Sequence, residues 1–142
     1  MSIVEDDACV VCLDLNREAA AATAAEIESA RGAGIGVAGS GISGCGPAIA
    51  VSADATDRMD VREALGHAIL AYGGVDDLVI TAGMFPTPGV DGRIDDDQFS
   101  RTLAVNVLAP AILVQEVGEQ VKGGGLEGAV VLTTSEIGRA HV

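Results

Sequence analysis

The sequence has 142 residues, a hydrophobic fraction of 49%, an aromatic fraction of 2% and a formal net charge of −13. This length predicts one domain with an aliphatic, alanine-rich core. The negative charge argues against a nucleic-acid partner and against adsorption to an anionic membrane surface. No apolar run is long enough to span a membrane, and the N-terminus lacks the pattern of a signal peptide, so we expect a cytoplasmic protein.

The three cysteines do not predict a metal site. Cys9 and Cys12 form a CxxC pair within the apolar run ACVVCLDL, and Cys45 is isolated in the sequence. Side chains three positions apart in a strand point to opposite faces, so Cys9 and Cys12 cannot share a metal ion. We therefore expect buried thiols and no bound metal.

Apolar runs alternate with helical patterns along the chain. Buried strands are predicted over residues 8–14, 46–54, 76–83 and 128–135. Helices are predicted after Asn16, after Thr56 or Asp57, and over 96–122. In the second helix, Val61, Leu65, Ile69 and Tyr72 share one apolar face. The alternation predicts an α/β fold with a parallel sheet and helices on both faces, in a single domain over 1–142 with no second domain.

The stretch GVAGSGISGCG contains the spacing Gly39-x-Gly41-x-x-Gly44, the fingerprint of dinucleotide-binding loops. A working fingerprint follows a strand and opens a helix whose N-terminus binds pyrophosphate. Here Pro47 and a strand pattern follow the glycines, where a helix is required. We therefore interpret this stretch as a flexible connector.

Asp14, at the carboxyl end of the first predicted strand, is a better candidate for cofactor binding. A carboxylate there can accept hydrogen bonds from both ribose hydroxyls of an adenosine and would repel a 2′-phosphate. This favours NAD over NADP. From the residue alone, an acid that merely lies close to the following helix is an equal alternative.

Pro110 lies within the long helical pattern and draws attention to Asn106. Because proline has no N–H, the carbonyl of Asn106 loses its usual helical partner. The result is a kink with a free acceptor that can hold a water molecule. A tolerated helix kink without a role in a site is the alternative.

Five motifs, in order, make the sequence resemble the short-chain dehydrogenase/reductase family. They are VVCLD at 10–14, SADATD at 52–57, AYGGVDDLVITAG at 71–83, AVNVLAP at 104–110 and GAVVLTTS at 128–135. The resemblance covers essentially the whole chain and implies a Rossmann-like, doubly wound parallel sheet. It also implies an NAD(P)-dependent oxidoreductase that interconverts an alcohol and a carbonyl of a small-molecule substrate, and a homo-oligomer formed through helix 96–122.

The resemblance implies a cofactor-binding role for six residues. Asp14 would bind the adenosine ribose, and Asp54 and Ala55 would flank the adenine. The remaining three, which stand where the family has Asn-Ala-Gly beside the cofactor, are Thr81, Ala82 and Gly83. Thr81 replaces the asparagine, and its hydroxyl can supply only part of the hydrogen bonding of an amide.

The resemblance also implies two catalytic residues. Asn106 matches the asparagine whose backbone oxygen holds a water molecule in a proton relay, and Ser135 matches the serine that positions the substrate carbonyl. The Tyr-x-x-x-Lys motif that follows this serine in the family is absent, so hydride transfer has no proton partner. The first strand of the family, its glycine-rich turn and the C-terminal strands are absent as well.

These departures predict an incomplete sheet. In the family the missing first strand is central, so the first and third strands of this chain would pair directly, be bridged by another chain or expose two edges. We expect an interior fragment without dehydrogenase activity of its own and with NAD affinity weaker than millimolar. A non-catalytic nucleotide-binding or oligomerising remnant is the alternative, and an unrelated flavodoxin-like or regulatory domain is a third. The substrate is not specified by these residues.

Overall fold

A computed structural model of the chain describes residues 8–33, 47–86, 89, 92–125 and 127–133. Its elements, in chain order, are strand β1 (Val11–Asp14), helix α1 (Arg17–Ala33), strand β2 (Ile49–Ser52), helix α2 (Arg58–Tyr72), strand β3 (Leu78–Ile80), helix α3 (Asp96–Leu103), a π-helical turn (Ala104–Leu108), helix α4 (Ala109–Gly124) and strand β4 (Val130–Leu132). The glycine-rich stretch over 36–46 and Ser135 lie outside the described residues.

The chain divides into two compact units, Met1–Val75 and Asp76–Val142. Each unit contains one pair of parallel strands, β1 with β2 in the first and β3 with β4 in the second. The predicted parallel α/β arrangement is therefore confirmed. Among the described residues each pair forms a two-stranded sheet. The single domain over 1–142 stays a prediction.

In the first unit, helices pack against the β1–β2 pair through small side chains. Helix α1 buries Ala20 and Ala24, and helix α2 buries Val61, Ala64 and Ala68. The apolar face predicted for α2 is thus only partly right, because Leu65, Ile69 and Tyr72 remain partly exposed. Alanine allows the helix backbone to lie close to the strands, and the larger side chains then flank the contact instead of filling it.

Both helices of the first unit begin at polar caps within five residues of the end of a strand. Asn16 Oδ1 accepts the backbone N–H groups of Glu18 and Ala19, at 2.9 Å and 3.2 Å, which confirms the predicted cap of α1. Asp57 is the cap of α2, and its side chain accepts the N–H of Met59 at 2.7 Å. These caps bring the carboxyl ends of β1 and β2 directly to a helix N-terminus.

In the second unit, Leu78 pairs with Val130 and Ile80 with Leu132. Ile80 is buried, and the core of this unit also contains Ile112, Leu113 and Val117 of α4. The long helix predicted over 96–122 is present as α3, the π-helical turn and α4. The interruption falls immediately before Pro110, which cannot donate a backbone hydrogen bond.

Cys12 lies in β1 and Cys9 lies just before it, and the two side chains have different surroundings. Cys12 is a buried free thiol, and burial raises its pKa. Cys9 is exposed and disulfide-bonded, so the prediction of a buried thiol is wrong for this residue. Positions three apart in extended chain face opposite sides, which is why only one of the two reaches the core. Cys45 lies outside the described residues.

Within the described ranges, no helix combines the length and the apolarity needed to cross a bilayer. Over the same ranges, no three His, Cys, Asp or Glu side chains come together as metal ligands.

Candidate functional site

The carboxyl ends of β1 and β2 form one polar edge in the first unit. Asp14, the last residue of β1, lies opposite Ser52, the last residue of β2. The Ser52 hydroxyl donates to the carbonyl of Leu15 at 3.1 Å, and the N–H of Ala53 donates to the carbonyl of Asp14 at 3.1 Å. The segment that leaves β1 is therefore tied to the end of β2.

At this edge the Asp14 carboxylate is exposed, and a hydrogen bond fixes its orientation. Its Oδ1 atom accepts the backbone N–H of Asn16 at 2.8 Å. A carboxylate has two acceptor oxygens, so Oδ2 retains acceptor capacity for a ligand. The residue therefore presents a negatively charged acceptor at the edge of the strand pair.

The chain leaves β2 through a turn over residues 54–57, here named the Asp54 turn. Asp54 Oδ1 accepts two bonds from Thr56, one from its backbone N–H at 2.8 Å and one from its hydroxyl at 2.7 Å. These two bonds hold the pKa of the Asp54 carboxyl below its usual value. The N–H of Asp57 donates to the Asp54 carbonyl at 2.9 Å, which closes the turn. The turn thus carries an ionised carboxylate of defined orientation.

A cavity of about 110 Å³ lies beside this edge. It is lined by Val51, Ser52, Asp60, Glu63, Ala64 and His67. Sites for small molecules usually have volumes of about 300–1,000 Å³, so this cavity is too small to hold a nucleoside. A nucleoside bound at this edge would therefore lie over the strand ends and stay exposed to solvent, and it would not fill this cavity.

In the second unit, the Asn106 side chain is joined to the segment that follows β3. Its Oδ1 accepts the backbone N–H of Met84 at 2.7 Å, and its Nδ2 donates to the carbonyl of Met84 at 2.7 Å. A Cβ added to Gly83 would lie 3.7 Å from the same Oδ1, so Gly83 is adjacent to this contact. The amide thereby fixes the backbone directly after the Thr81–Gly83 motif.

The backbone around Asn106 forms the π-helical turn. The N–H of Ala109 donates to the carbonyl of Ala104, five positions earlier. Pro110 has no N–H to give to the carbonyl of Asn106 in α-helical register or to that of Val105 in π-helical register. Such turns within helices are frequent at functional sites because they change which backbone groups are free to bind.

The structure therefore brings some of the predicted residues together within each unit. Asp14, Asp54 and Ala55 lie at the edge of the β1–β2 pair, and Gly83 lies next to Asn106. Thr81 and Ala82 are exposed and follow β3. Met84, the partner of Asn106, was missed, because a side-chain bond to a backbone 22 residues away leaves no periodic signal in the sequence.

Comparison with known proteins gives consistent results. The chain matches the sequence profile described as "short chain dehydrogenase" over residues 1–142. A sorbitol dehydrogenase from Cereibacter sphaeroides is 30% identical over 136 residues, which cover 96% of this chain and 46% of that protein. A 3-ketoacyl-ACP reductase from Sinorhizobium meliloti 1021 has a similar structure, with a TM-score of 0.73 and 27% identity over 94% of this chain and 46% of its own.

A third similar protein is a 7α-hydroxysteroid dehydrogenase, whose structure contains NADH and 7-oxo glycochenodeoxycholic acid. Its TM-score is 0.67 and its identity 28%, over 89% of this chain and 43% of its own. The chain spans less than half the length of all three proteins. The predicted Rossmann-like α/β fold is confirmed by these neighbours. The chain belongs to the short-chain dehydrogenase/reductase family, whose oxidoreductases use NAD(P) cofactors.

Proposed function

We propose that this chain supplies the adenosine-binding edge of an NAD-dependent oxidoreductase that interconverts an alcohol and a carbonyl. The observation that carries the proposal is the exposed Asp14 carboxylate at the end of β1, opposite Ser52. One of its oxygens is engaged by Asn16, so the carboxylate is oriented before any ligand arrives. Preorganisation of this kind lowers the entropy cost of binding.

The residues at this edge suit NAD better than NADP. The ribose hydroxyls of NAD are donors that match the acceptor oxygens of Asp14. A 2′-phosphate would instead bring negative charge against the same carboxylate, with Asp54 charged nearby. Asp54 and Ala55 would flank the adenine.

The remaining roles follow from family membership and from the local geometry of the second unit. A bound nicotinamide cofactor would supply the acceptor for the hydride of the alcohol carbon and, when reduced, the hydride for the carbonyl. Thr81, Ala82 and Gly83 would border the cofactor, with the backbone after them held by Asn106. The Asn106 carbonyl, to which Pro110 cannot donate a hydrogen bond, would hold a water molecule for proton transfer. Ser135 would position the substrate carbonyl.

Replacing Asp14 by asparagine tests the proposed cofactor preference. Asp14→Asn keeps an oxygen that can accept the Asn16 N–H but removes the charge that repels a 2′-phosphate. We expect the ratio of NAD affinity to NADP affinity to fall by about tenfold, because the substitution removes the repulsion between the Asp14 carboxylate and the 2′-phosphate of NADP near the protein surface. The affinities are measured by NMR titration, which is suited to weak binding.

Glu26→Gln is the matched control, since it removes one negative charge from an exposed position of α1 in the same unit, more than two helical turns from the end of β1. It should leave the ratio unchanged. A ratio that is the same in Asp14→Asn and in the unmodified chain would reject Asp14 as the determinant of cofactor preference.

We also propose that the chain self-associates through the helical segment over 96–124. Five large apolar side chains of this segment are 42% to 61% exposed, namely Phe99, Leu103, Val107, Leu108 and Val114. Phe99 and Leu103 are four positions apart and therefore share one helix face. Association with the same segment of a second copy would remove this apolar surface from water.

A charged residue in this surface should prevent the association. Leu103→Asp is expected to raise the dimer dissociation constant by at least about tenfold, because a carboxylate would be buried without a partner. Sedimentation equilibrium measures the change. The control is Leu70→Asp on α2, where the leucine is 88% exposed and lies outside this segment. Loss of association in Leu70→Asp with retention in Leu103→Asp would contradict the proposal.

A further inference from the structure

Asp60 contacts the Asp54 turn, although it belongs to helix α2. Its Oδ2 accepts the backbone N–H of Asp54 at 3.1 Å. The preceding amide, that of Ala53, still donates to the carbonyl of Asp14 across the strand pair. Asp54 is therefore the first residue after this inter-strand bond, and its N–H finds its acceptor on α2.

The position of Asp60 is itself fixed by the helix. Its own N–H lies 3.4 Å from Oδ1 of the cap residue Asp57. The next residue, Val61, is fully buried, and Ala64 one turn later is also buried. The Asp60 carboxylate is therefore attached to a packed helix and not to a mobile loop, so it can serve as a fixed acceptor.

We propose that Asp60 is a positioning residue for the adenosine site, which by accepting the Asp54 N–H fixes the turn that presents Asp54 and Ala55 to adenine. The inference rests on the proposed adenosine-binding function of this edge. It assigns Asp60 no contact with the nucleotide, so its effect is transmitted through the backbone of residue 54. A second role of Asp60, as an acid in the first turn of α2, would stabilise the helix without orienting the turn.

Two substitutions separate the geometric effect from the electrostatic one. Asp60→Asn removes the charge and keeps an oxygen acceptor, whereas Asp60→Ala removes both. The charges of Asp14, Asp57, Glu63 and His67 around the turn are the same in the two variants. A difference between them in the pKa of the Asp54 carboxyl therefore reports the acceptor, because the loss of the Asp60 charge is common to both.

The experiment is an NMR pH titration of the Asp54 carboxyl in the chain without ligand, together with hydrogen exchange of the Asp54 amide. We expect a higher pKa of Asp54 and exchange at least about tenfold faster in Asp60→Ala than in Asp60→Asn, because the turn loosens and its bonds from Thr56 weaken. Thermal unfolding verifies that both variants are folded. Equal pKa values and equal exchange rates in the two variants would overturn the proposal.

Titration with AMP gives the functional readout. Asp60→Ala should weaken AMP binding by about tenfold, Asp60→Asn should restore it, and Glu26→Ala, at an exposed position more than two turns into α1, should have no effect. Equal AMP affinities of the Asp60→Ala and Asp60→Asn variants would also overturn the positioning role. AMP that shifts no resonance of the Asp54 turn in the unmodified chain would refute the adenosine function instead, and the ligand-free measurements would still decide whether Asp60 fixes the turn.

Discussion

Replacing Gly128 by alanine is expected to lower the free energy of unfolding of the second unit by about 3 kcal/mol. A Cβ built on Gly128 would overlap the carbonyl oxygen of Asp76 and lie 3.1 Å from its carbonyl carbon. Both atoms belong to backbone at the start of the β3–β4 pair. Here Leu78 donates its N–H to the carbonyl of Ala129 at 2.9 Å, so relief of the overlap would disturb the pairing.

Urea denaturation measures this loss, and Gly118→Ala is the control. Gly118 lies inside α4, where an added Cβ would have no atom within 4 Å. Alanine is a better helix former than glycine, so the control should gain about 0.5–1 kcal/mol. An unfolding free energy of Gly128→Ala equal to that of the unmodified chain would show that the two backbones are not in contact.

Replacing Asn106 by alanine is expected to cost about 2 kcal/mol, from two side-chain hydrogen bonds worth about 1 kcal/mol each. Both bonds join Asn106 to the backbone of Met84. Without them, the segment after β3 loses its attachment to the π-helical turn. Hydrogen exchange of the Met84 amide should therefore become at least tenfold faster (about 1.4 kcal/mol), as measured by NMR.

Two further variants make this prediction specific. Asn106→Asp keeps an acceptor for the Met84 N–H but sets an oxygen against the Met84 carbonyl, so exchange should stay slow while stability falls. Arg101→Ala, at an exposed position of the preceding helix α3, should change stability by less than about 0.5 kcal/mol. Slow Met84 exchange in Asn106→Ala would mean that another group holds this backbone.

The elements that position the candidate site could be predicted from local sequence. The apolar run that ends at Asp14, the capping residue Asn16 and the acids at the end of the second run place carboxylates at strand ends. Strand ends and caps depend on neighbours a few positions away, so these features are visible without a structure.

Contacts between distant segments could not be predicted in the same way. The Asn106–Met84 bonds join residues 22 positions apart, and nothing in the helical pattern identifies the partner. The π-helical turn was foreseen only as a kink before Pro110, because proline indicates where a helix is disturbed but not how the backbone adjusts. Asp60 is an acid in the first turn of α2, and its bond to the Asp54 N–H depends on how the helix packs against β2, which the local sequence does not show.

The carboxyl edge of β1 and β2 is proposed to bind the adenosine of NAD. This binding is tested most directly by NMR titration of the isotope-labelled chain with NAD and, separately, with NADP. NAD should shift the amide resonances of Asp14, Asn16 and the Asp54 turn, and NADP at the same concentration should shift them less. NADP shifts as large as those of NAD, or NAD shifts confined to other residues, would contradict the proposed binding.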